Sequence, residues 1–332
     1  KRQSGLLMPG FKSSTTHGTS LNTPYYLVIS DNKDITFNPR FYADDKILLQ
    51  TEYREVKSDS ESLLDFSLMA EGNSPSKSHF FSKTKKKINL ENFIDIEISL
   101  NLQQSSNDTY LKTNKLKSPI IKNYNLLTSS LALTAYRDDL SLDINFEVYE
   151  DLNKPNNDKY EVIYPSYSIS KQLKSLENIE GNFSFNSKGF VKNYNTNIFE
   201  KVTINDLIFN SNSTYTNSGL KNNYNLLLRN TNTDSRKSEK YKNNADFKIA
   251  ALLENNISYP LKKEMNDSSN ILKPKISLKF SPNNNKNLRE EDRRIDVNNI
   301  FSFERLGSGD TVEGGTSITY GLDFLKTHKD DK

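Results

Sequence analysis

The chain has 332 residues with no Cys, no Trp, three His, and 45 Lys+Arg against 42 Asp+Glu for a formal net charge of +3. That composition excludes disulfides, thiolate chemistry and Cys-held metal within this sequence, and the near balance of charge argues against a nucleic-acid binder. Hydrophobic residues make up only 34% and mean hydropathy is -0.74, which is poor for a soluble protein with a large core; yet Leu, Ile, Phe and Val number 86, too many for wholesale disorder.

In chain order, the opening KRQSGLLMPGF is basic but too short in apolar residues for a secretory leader, and it meets Pro9. Either the protein stays inside the cell or its true N-terminus lies further upstream. Strands are expected at 25–30 and 34–42. Ile47, Leu49, Thr51 and Tyr53 then alternate with Leu48, Gln50, Glu52 and Arg54, and Leu64, Phe66 and Leu68 alternate with Asp65, Ser67 and Met69. A further strand is expected at 78–88. The clearest segment is FIDIEISLNLQ, where Ile94, Ile96, Ile98, Leu100 and Leu102 alternate with Asp95, Glu97, Ser99, Asn101 and Gln103. Period two places the five apolar side chains on one face of a strand. Leu131, Leu133 and Ala135, a turn at RDD, and then Leu140, Leu142, Ile144, Phe146 and Val148 read as a hairpin over 125–150. Later candidates are 160–170, 182–191, 201–216, 219–231, 245–258, 273–281, 297–305 and 315–325. Connectors such as AEGNSPSKS and NKPNND are rich in turn formers.

No run of about 18 apolar residues exists, and no stretch keeps a 3.6 period. The fold class is therefore all-β and antiparallel, with roughly 14–16 long amphipathic strands. A soluble sandwich favours shorter strands and a larger apolar share. A transmembrane β-barrel accounts for the pattern better: the apolar face meets lipid, the polar face lines a wet lumen, and no large core is needed. Tyr 17 and Phe 18 suffice for interfacial girdles.

No catalytic constellation is legible. His17, His79 and His328 lack metal-ligand spacing and read as surface or loop residues. RLGSGDTVEGG lacks a GK[ST] ending and reads as a turn beside a strand. Lys83, Lys85, Lys86 and Lys87 form a basic run, whose plain reading is a solvated strand end and whose functional reading is an anionic lipid or phosphate contact. Arg289, Arg293 and Arg294 interleave with acidic neighbours as in an exposed loop. Asp95, Glu97, Asn101, Asp143 and Asn145 fall on polar strand faces and are the expected lumen lining. Neither enzyme activity nor a metal or cofactor is expected. Pro24 and Pro39 sit at or inside early strands, where proline removes a ladder donor. The simpler reading has Pro24 starting one strand and Pro39 ending another; the alternative is a weakened seam.

Several ordered segments resemble the LptD family of outer-membrane lipopolysaccharide-assembly proteins. They are the basic, Gly- and Pro-containing start, Pro24-Tyr25-Tyr26 followed by Asp34, Thr36 and Pro39, SSNDTYL at 105–111, YEVIYPSYSIS with Pro165, and FSFERLGSGDTVEGGTSITYGLDF at 301–324. Leu306 departs from the family's usual aromatic, and the likeness is weak between 172 and 270. The resemblance implies that residues 1–332 are the N-terminal portion of a barrel of about 26 strands, with a periplasmic jelly roll before it and later strands after it. It further implies export of lipopolysaccharide without covalent chemistry: sugar through the lumen, and lipid through a lateral gate near Pro24 and Pro39. The implied partners are lipopolysaccharide, an LptE-like lipoprotein plug, and an LptA/LptC-like periplasmic bridge reached through the jelly roll. A general porin or receptor barrel without lateral release is the alternative on pattern alone, and a soluble adhesin-like β protein is a third.

Overall fold

The structure is a computed structural model that describes residues 2–14, 18–44, 46–72, 74–175, 177–265, 268–284, 294–306 and 310–328. Its strands in chain order are β1 (Gly5–Leu6), β2 (Gly10–Ser14), β3 (Gly18–Asn22), β4 (Tyr25–Ser30), β5 (Lys33–Tyr42), β6 (Lys46–Val56), β7 (Ser60–Glu71), β8 (Ser74–Lys87), β9 (Asp95–Ser105) and β10 (Leu126–Arg137). They continue as β11 (Leu140–Asp151), β12 (Tyr160–Leu173), β13 (Gly181–Tyr194), β14 (Ile198–Ser211), β15 (Thr214–Tyr215), β16 (Lys221–Arg236), β17 (Asp246–Ser258), β18 (Leu261–Glu264), β19 (Ser268–Ser281) and β20 (Gly315–His328). All belong to one sheet. The all-β, antiparallel expectation holds. Helix is confined to α1 (Tyr110–Thr113) and a 3-10 turn at Asn156–Lys159 among the described residues.

The chain divides into two compact units. The first comprises Lys1–Tyr167, Phe190–Lys201 and Ser235–Asn243, and the second the remainder. In the first unit, registers carry side-chain alternation from strand to strand. Asn38 pairs with Gln50, Gln50 with Ser67, Ser67 with His79, Lys83 with Asn101, Asn101 with Ser130, and Ser130 with Glu147. Directly opposed residues point to the same side, so this face is polar across seven strands. The other face carries Leu49 opposite Leu68, Leu131 opposite Leu100 and Phe146 opposite Leu131.

The second unit repeats the arrangement. Asn225 pairs with Glu254, Glu254 with Lys279, and Lys279 with Ser317 on one face. Leu226, Leu253, Phe280 and Leu278 lie on the other, with Ile318 opposite Leu278 and Phe324 opposite Leu272.

Exposure is inverted relative to a water-soluble sheet. Apolar-face residues such as Leu68 (55% exposed) and Phe324 (64%) are open, whereas Asp65, Ser67, Glu254 and Lys279 on the polar face are buried. The reason is connectivity. Residues 106–125, between β9 and β10, and residues 294–306 and 310–314, between β19 and β20, fold back over the polar face of their own unit. In the first unit the largest buried apolar cluster, including Leu48, Met69, Phe81, Tyr110, Leu111 and Leu116, forms between sheet and covering segment. Each fully buried side chain of that size contributes about 1.5–3 kcal/mol.

Candidate functional site

Two features of the polar-face side stand apart from ordinary sheet structure: a proline-broken seam in the first strands, and the two covering segments, here called straps.

At the seam, strands β3 and β4 are one chain direction interrupted at Thr23 and Pro24. Asn22 pairs with Arg40 and Tyr25 with Phe37, which places Thr23 opposite Pro39. The Thr23 amide donates to the Pro39 carbonyl at 3.2 Å. Proline has no amide hydrogen, so the reciprocal bond is missing. On the other side, the Leu7 amide donates to the Pro24 carbonyl at 2.8 Å, and again the return bond cannot form. Pro24 and Pro39 therefore remove one ladder bond each, on opposite sides of the same strand. Pro9 lies between β1 and β2, where Gly10 pairs with Asn22 and Leu6 with Tyr25, so three prolines share one level across three adjacent strands. Pro24 does precede a strand. Pro39, whose simpler reading ended one, is interior to β5, because the chain pairs onward with β6 through Leu49, Leu48 and Ile47.

The five residues expected to line a lumen share the polar face. Asp95 stands opposite Tyr136 and Glu97 opposite Thr134, with Thr134 opposite Asp143. Asn145 is opposite Ala132, itself opposite Ser99. Glu97 accepts an ion pair from Lys85 at 2.9 Å, Asn101 Nδ2 donates to the Thr128 carbonyl at 2.8 Å, and Asp143 accepts from Tyr136 Oη at 3.1 Å. Pro24 and Pro39 are separate from this group.

The first strap, residues 106–125, is held by a buried polar network that sequence reading misses. Arg40 Nη1 donates to the Asn114 carbonyl at 2.6 Å, and Gln50 Nε2 donates to the Lys117 carbonyl at 2.8 Å and to Asp65 Oδ1 at 2.9 Å. Ser67 Oγ lies 2.7 Å from Tyr110 Oη and 2.6 Å from His79 Nδ1. His79 Nε2 is 3.3 Å from Asp65 Oδ1. His79 is thus no surface or loop residue: it is 3% exposed, because Tyr110 and the neighbouring Phe81 close over it. The Ser67–His79–Asp65 triplet has the residue types of a catalytic triad, but Tyr110 seals it, and its geometry serves to anchor the strap. At the strap's base, Lys159 pairs with Asp108 and Glu150, both at 2.7 Å. Burial alone would lower its pKa, but the bonds to Asp108 and Glu150 outweigh that and hold the ammonium above the usual lysine range.

The second strap, residues 294–306 and 310–314, covers the polar face of the second unit. Arg229 forks onto Asp206 with both contacts at 2.7 Å, pairs with Glu304 at 2.9 Å, and donates to the Thr311 carbonyl at 3.1 Å. Lys279 bonds the Ser302 and Phe303 carbonyls and pairs with Glu254 at 3.4 Å. Arg305 pairs with Glu313 and bonds Ser317 Oγ. Val312 packs with Leu227 and Leu252. A Cβ on Gly321 would lie 2.8 Å from the Phe301 ring, so a larger residue there would push that ring away from β20. The strand expected at 297–305 is absent: these residues are turns and bends, with the Ser302 and Phe303 carbonyls taken by Lys279 and the Glu304 carboxylate by Arg229, from the sheet, instead of a ladder. His17, Arg289 and Arg293 lie outside the described residues.

The sheet and site together define a class: an antiparallel sheet whose apolar face is exposed and whose polar face is roofed by its own connecting segments. No protein-family model matches the chain. It is similar to curated proteins named LPS-assembly protein LptD, with 42% identity over 64 residues to that of Pseudoalteromonas translucida, covering 19% of this chain and 9% of the relative. Similarity to the LptD of Pseudomonas aeruginosa strain UCBPP-PA14 is 38% over 65 residues, 20% of this chain and 7% of the relative. The match to that of Shewanella frigidimarina is 38% over 61 residues, 18% and 8%. The matched stretch thus spans less than a tenth of the length of these relatives. A solved bacterial polysaccharide outer membrane secretin superposes over 92% of this chain and 88% of its own, at 10% identity and a TM-score of 0.27; a superposition at that score carries no weight for fold or function.

Proposed function

We propose that this chain is part of the wall of an outer-membrane β-barrel that delivers lipopolysaccharide to the outer leaflet. Sugar would pass along the polar face and lipid would leave sideways at the seam of Pro24 and Pro39. The observation that carries the reading is the pairing of an inside-out sheet with a seam that has lost one reciprocal ladder bond on each side of a single strand. An exposed apolar face suits lipid. A lateral exit needs strands that part at low cost, and proline within a ladder lowers that cost. The local similarity to LptD proteins supports lipopolysaccharide as cargo. On this reading an LptE-like lipoprotein and a periplasmic LptA/LptC-like bridge are the partners, the role is transport without enzymatic turnover, and residues 1–332 are one portion of a larger barrel. Asp95, Glu97, Asn101, Asp143 and Asn145 then border the sugar path. Two roofed stretches of polar face weigh against the alternative of a freely open diffusion porin.

The test is photocrosslinking in cells, with a crosslinkable residue at Thr36 or Tyr25 of the full-length protein. Tyr26 and Thr36 are direct partners across the seam strands. Lipopolysaccharide adducts that require ATP-driven supply are expected. Their absence in a protein shown to be inserted in the outer membrane would sink the reading.

A further inference from the structure

The first strap does more than cover the sheet, because one of its flanks leaves a hollow. Between the strap's C-terminal half and strands β8, β9 and β10 lies a space of about 470 Å³, within the size range of small-ligand sites, roughly 300–1,000 Å³. Lys83 and Lys85 border it from β8, Asn101 and Gln103 from β9, Lys122 from the strap and Thr128 from β10. Lys85 is engaged by Glu97. Lys83 and Lys122 border the hollow and form no ion pair among the described residues, so their charge is left for a ligand.

The remaining groups suit a polyhydroxylated partner. Asn101 Nδ2 and Gln103 Oε1 are already fixed by the β10 backbone, at 2.8 Å to the Thr128 carbonyl and 3.0 Å from the Thr128 amide. Their amide planes are therefore oriented before any ligand arrives, which reduces the ordering cost of binding. Lys122 is positioned by the strap: Ile120 is locked in the apolar cluster, and Tyr124 Oη donates to the Leu116 carbonyl at 2.5 Å. Lysine ammonium groups bind phosphate as point charges, while amide and hydroxyl groups bind sugar hydroxyls.

We propose that this hollow is a binding site for a phosphorylated sugar, with Lys83 and Lys122 taking the phosphate and Asn101 and Gln103 reading the ring hydroxyls. The proposal rests on the lipopolysaccharide reading, and deepens it by naming the chemical group that pauses on the polar face. The shared ligand chemistry has two sources, a free sugar phosphate or the phosphorylated head of a glycolipid.

The experiment is lysine footprinting of the full-length protein folded in detergent, using an amine-acylating reagent and mass spectrometry. The probes are glucose 6-phosphate, glucose, inorganic phosphate and a phosphorylated glycolipid in mixed micelles. Expected is at least a threefold slowing of acylation at Lys83 and Lys122 by glucose 6-phosphate, with Lys112 and Lys263 unchanged and glucose inert. The variant N101A/Q103A, which keeps both lysines, should need several-fold more glucose 6-phosphate for the same protection. Heat-modifiable migration checks that it is folded. Equal protection by inorganic phosphate, or equal slowing at all lysines, would overturn the site. Greater potency of the glycolipid or of the free sugar phosphate each supports the site and tells which source it serves. Supply-dependent adducts at Thr36 without protection at Lys83 defeat this site and leave the transport reading standing; protection without adducts does the reverse.

Discussion

At the residue scale, the straps are held by a few buried groups whose removal has calculable consequences. Tyr110 is 1% exposed and fills the space above Ser67 and His79. Tyr110→Ala should cost about 3–5 kcal/mol of strap docking, the range for emptying a buried aromatic site, whereas Tyr110→Phe should cost about 1 kcal/mol, one hydrogen bond. The rate of tryptic cleavage at Lys112 and Lys115 in the folded protein measures both, and equal rates for the two variants would contradict the packing described. In the second unit, Arg229→Leu leaves Asp206 buried without its fork and should destabilise by about 3–5 kcal/mol. Adding Asp206→Leu should recover much of the loss, because removing both charges avoids the uncompensated one. The temperature at which heat-modifiable migration changes, followed for the two single variants and the double, reads the coupling.

At the element scale, the seam and the strap base give opposite kinds of prediction. Pro39→Ala supplies the amide that Thr23 lacks as a partner, so the new backbone amide at this position should be slow to exchange and, on the proposed transport reading, lipopolysaccharide delivery should slow; fast exchange of that amide would show that the ladder does not close. Lys159 makes the pH dependence of the strap base one-sided. Its folded pKa is raised, so its contribution is complete below the ordinary lysine value of about 10.4 and fades only as pH climbs through the raised one. Strap cleavage should therefore be constant from about pH 6 to 9 and faster in Lys159→Met throughout. Much of this scale is legible in the sequence. The alternation from Ile96 to Leu102 is β9, and the RDD turn joins β10 to β11, because a two-residue period has no competing explanation. The segment 297–305 reads as strand because Phe301 and Phe303 alternate with Ser302 and Glu304; only the sheet's Lys279, distant in sequence, shows that the Ser302 and Phe303 carbonyls are spent elsewhere. His79 misleads for a related reason. A lone histidine in an alternating strand looks solvated unless the reader knows that Tyr110 folds back onto it. The five lumen-lining candidates need only strand alternation to be grouped on one face, whereas the basic hollow needs the strap.

At the scale of the whole molecule, the inverted distribution of polarity sets the environment the sheet requires. Leu68→Lys and Phe324→Lys place a charge on the exposed apolar face and should each cost about 2–4 kcal/mol near a bilayer midplane, while Asn101→Lys on the polar face should be tolerated. Insertion into outer membranes, scored by heat-modifiable migration, separates the two. Indifference to Leu68→Lys would mean that this face meets water. The row of Pro9, Pro24 and Pro39 carries a different consequence. The three line up because the chain returns to the level along as many residues as it left by, as in Tyr25–Ser30 of β4 outward and Lys33–Asn38 of β5 back. Substitutions elsewhere between residues 9 and 39 preserve that alignment, but gaining or losing one residue shifts a proline off the level and also turns a strand's apolar side inward. This stretch should therefore drift freely in composition while remaining fixed in length, and a library of single-residue insertions and deletions should find it far less forgiving than the turn at Asp138–Asp139.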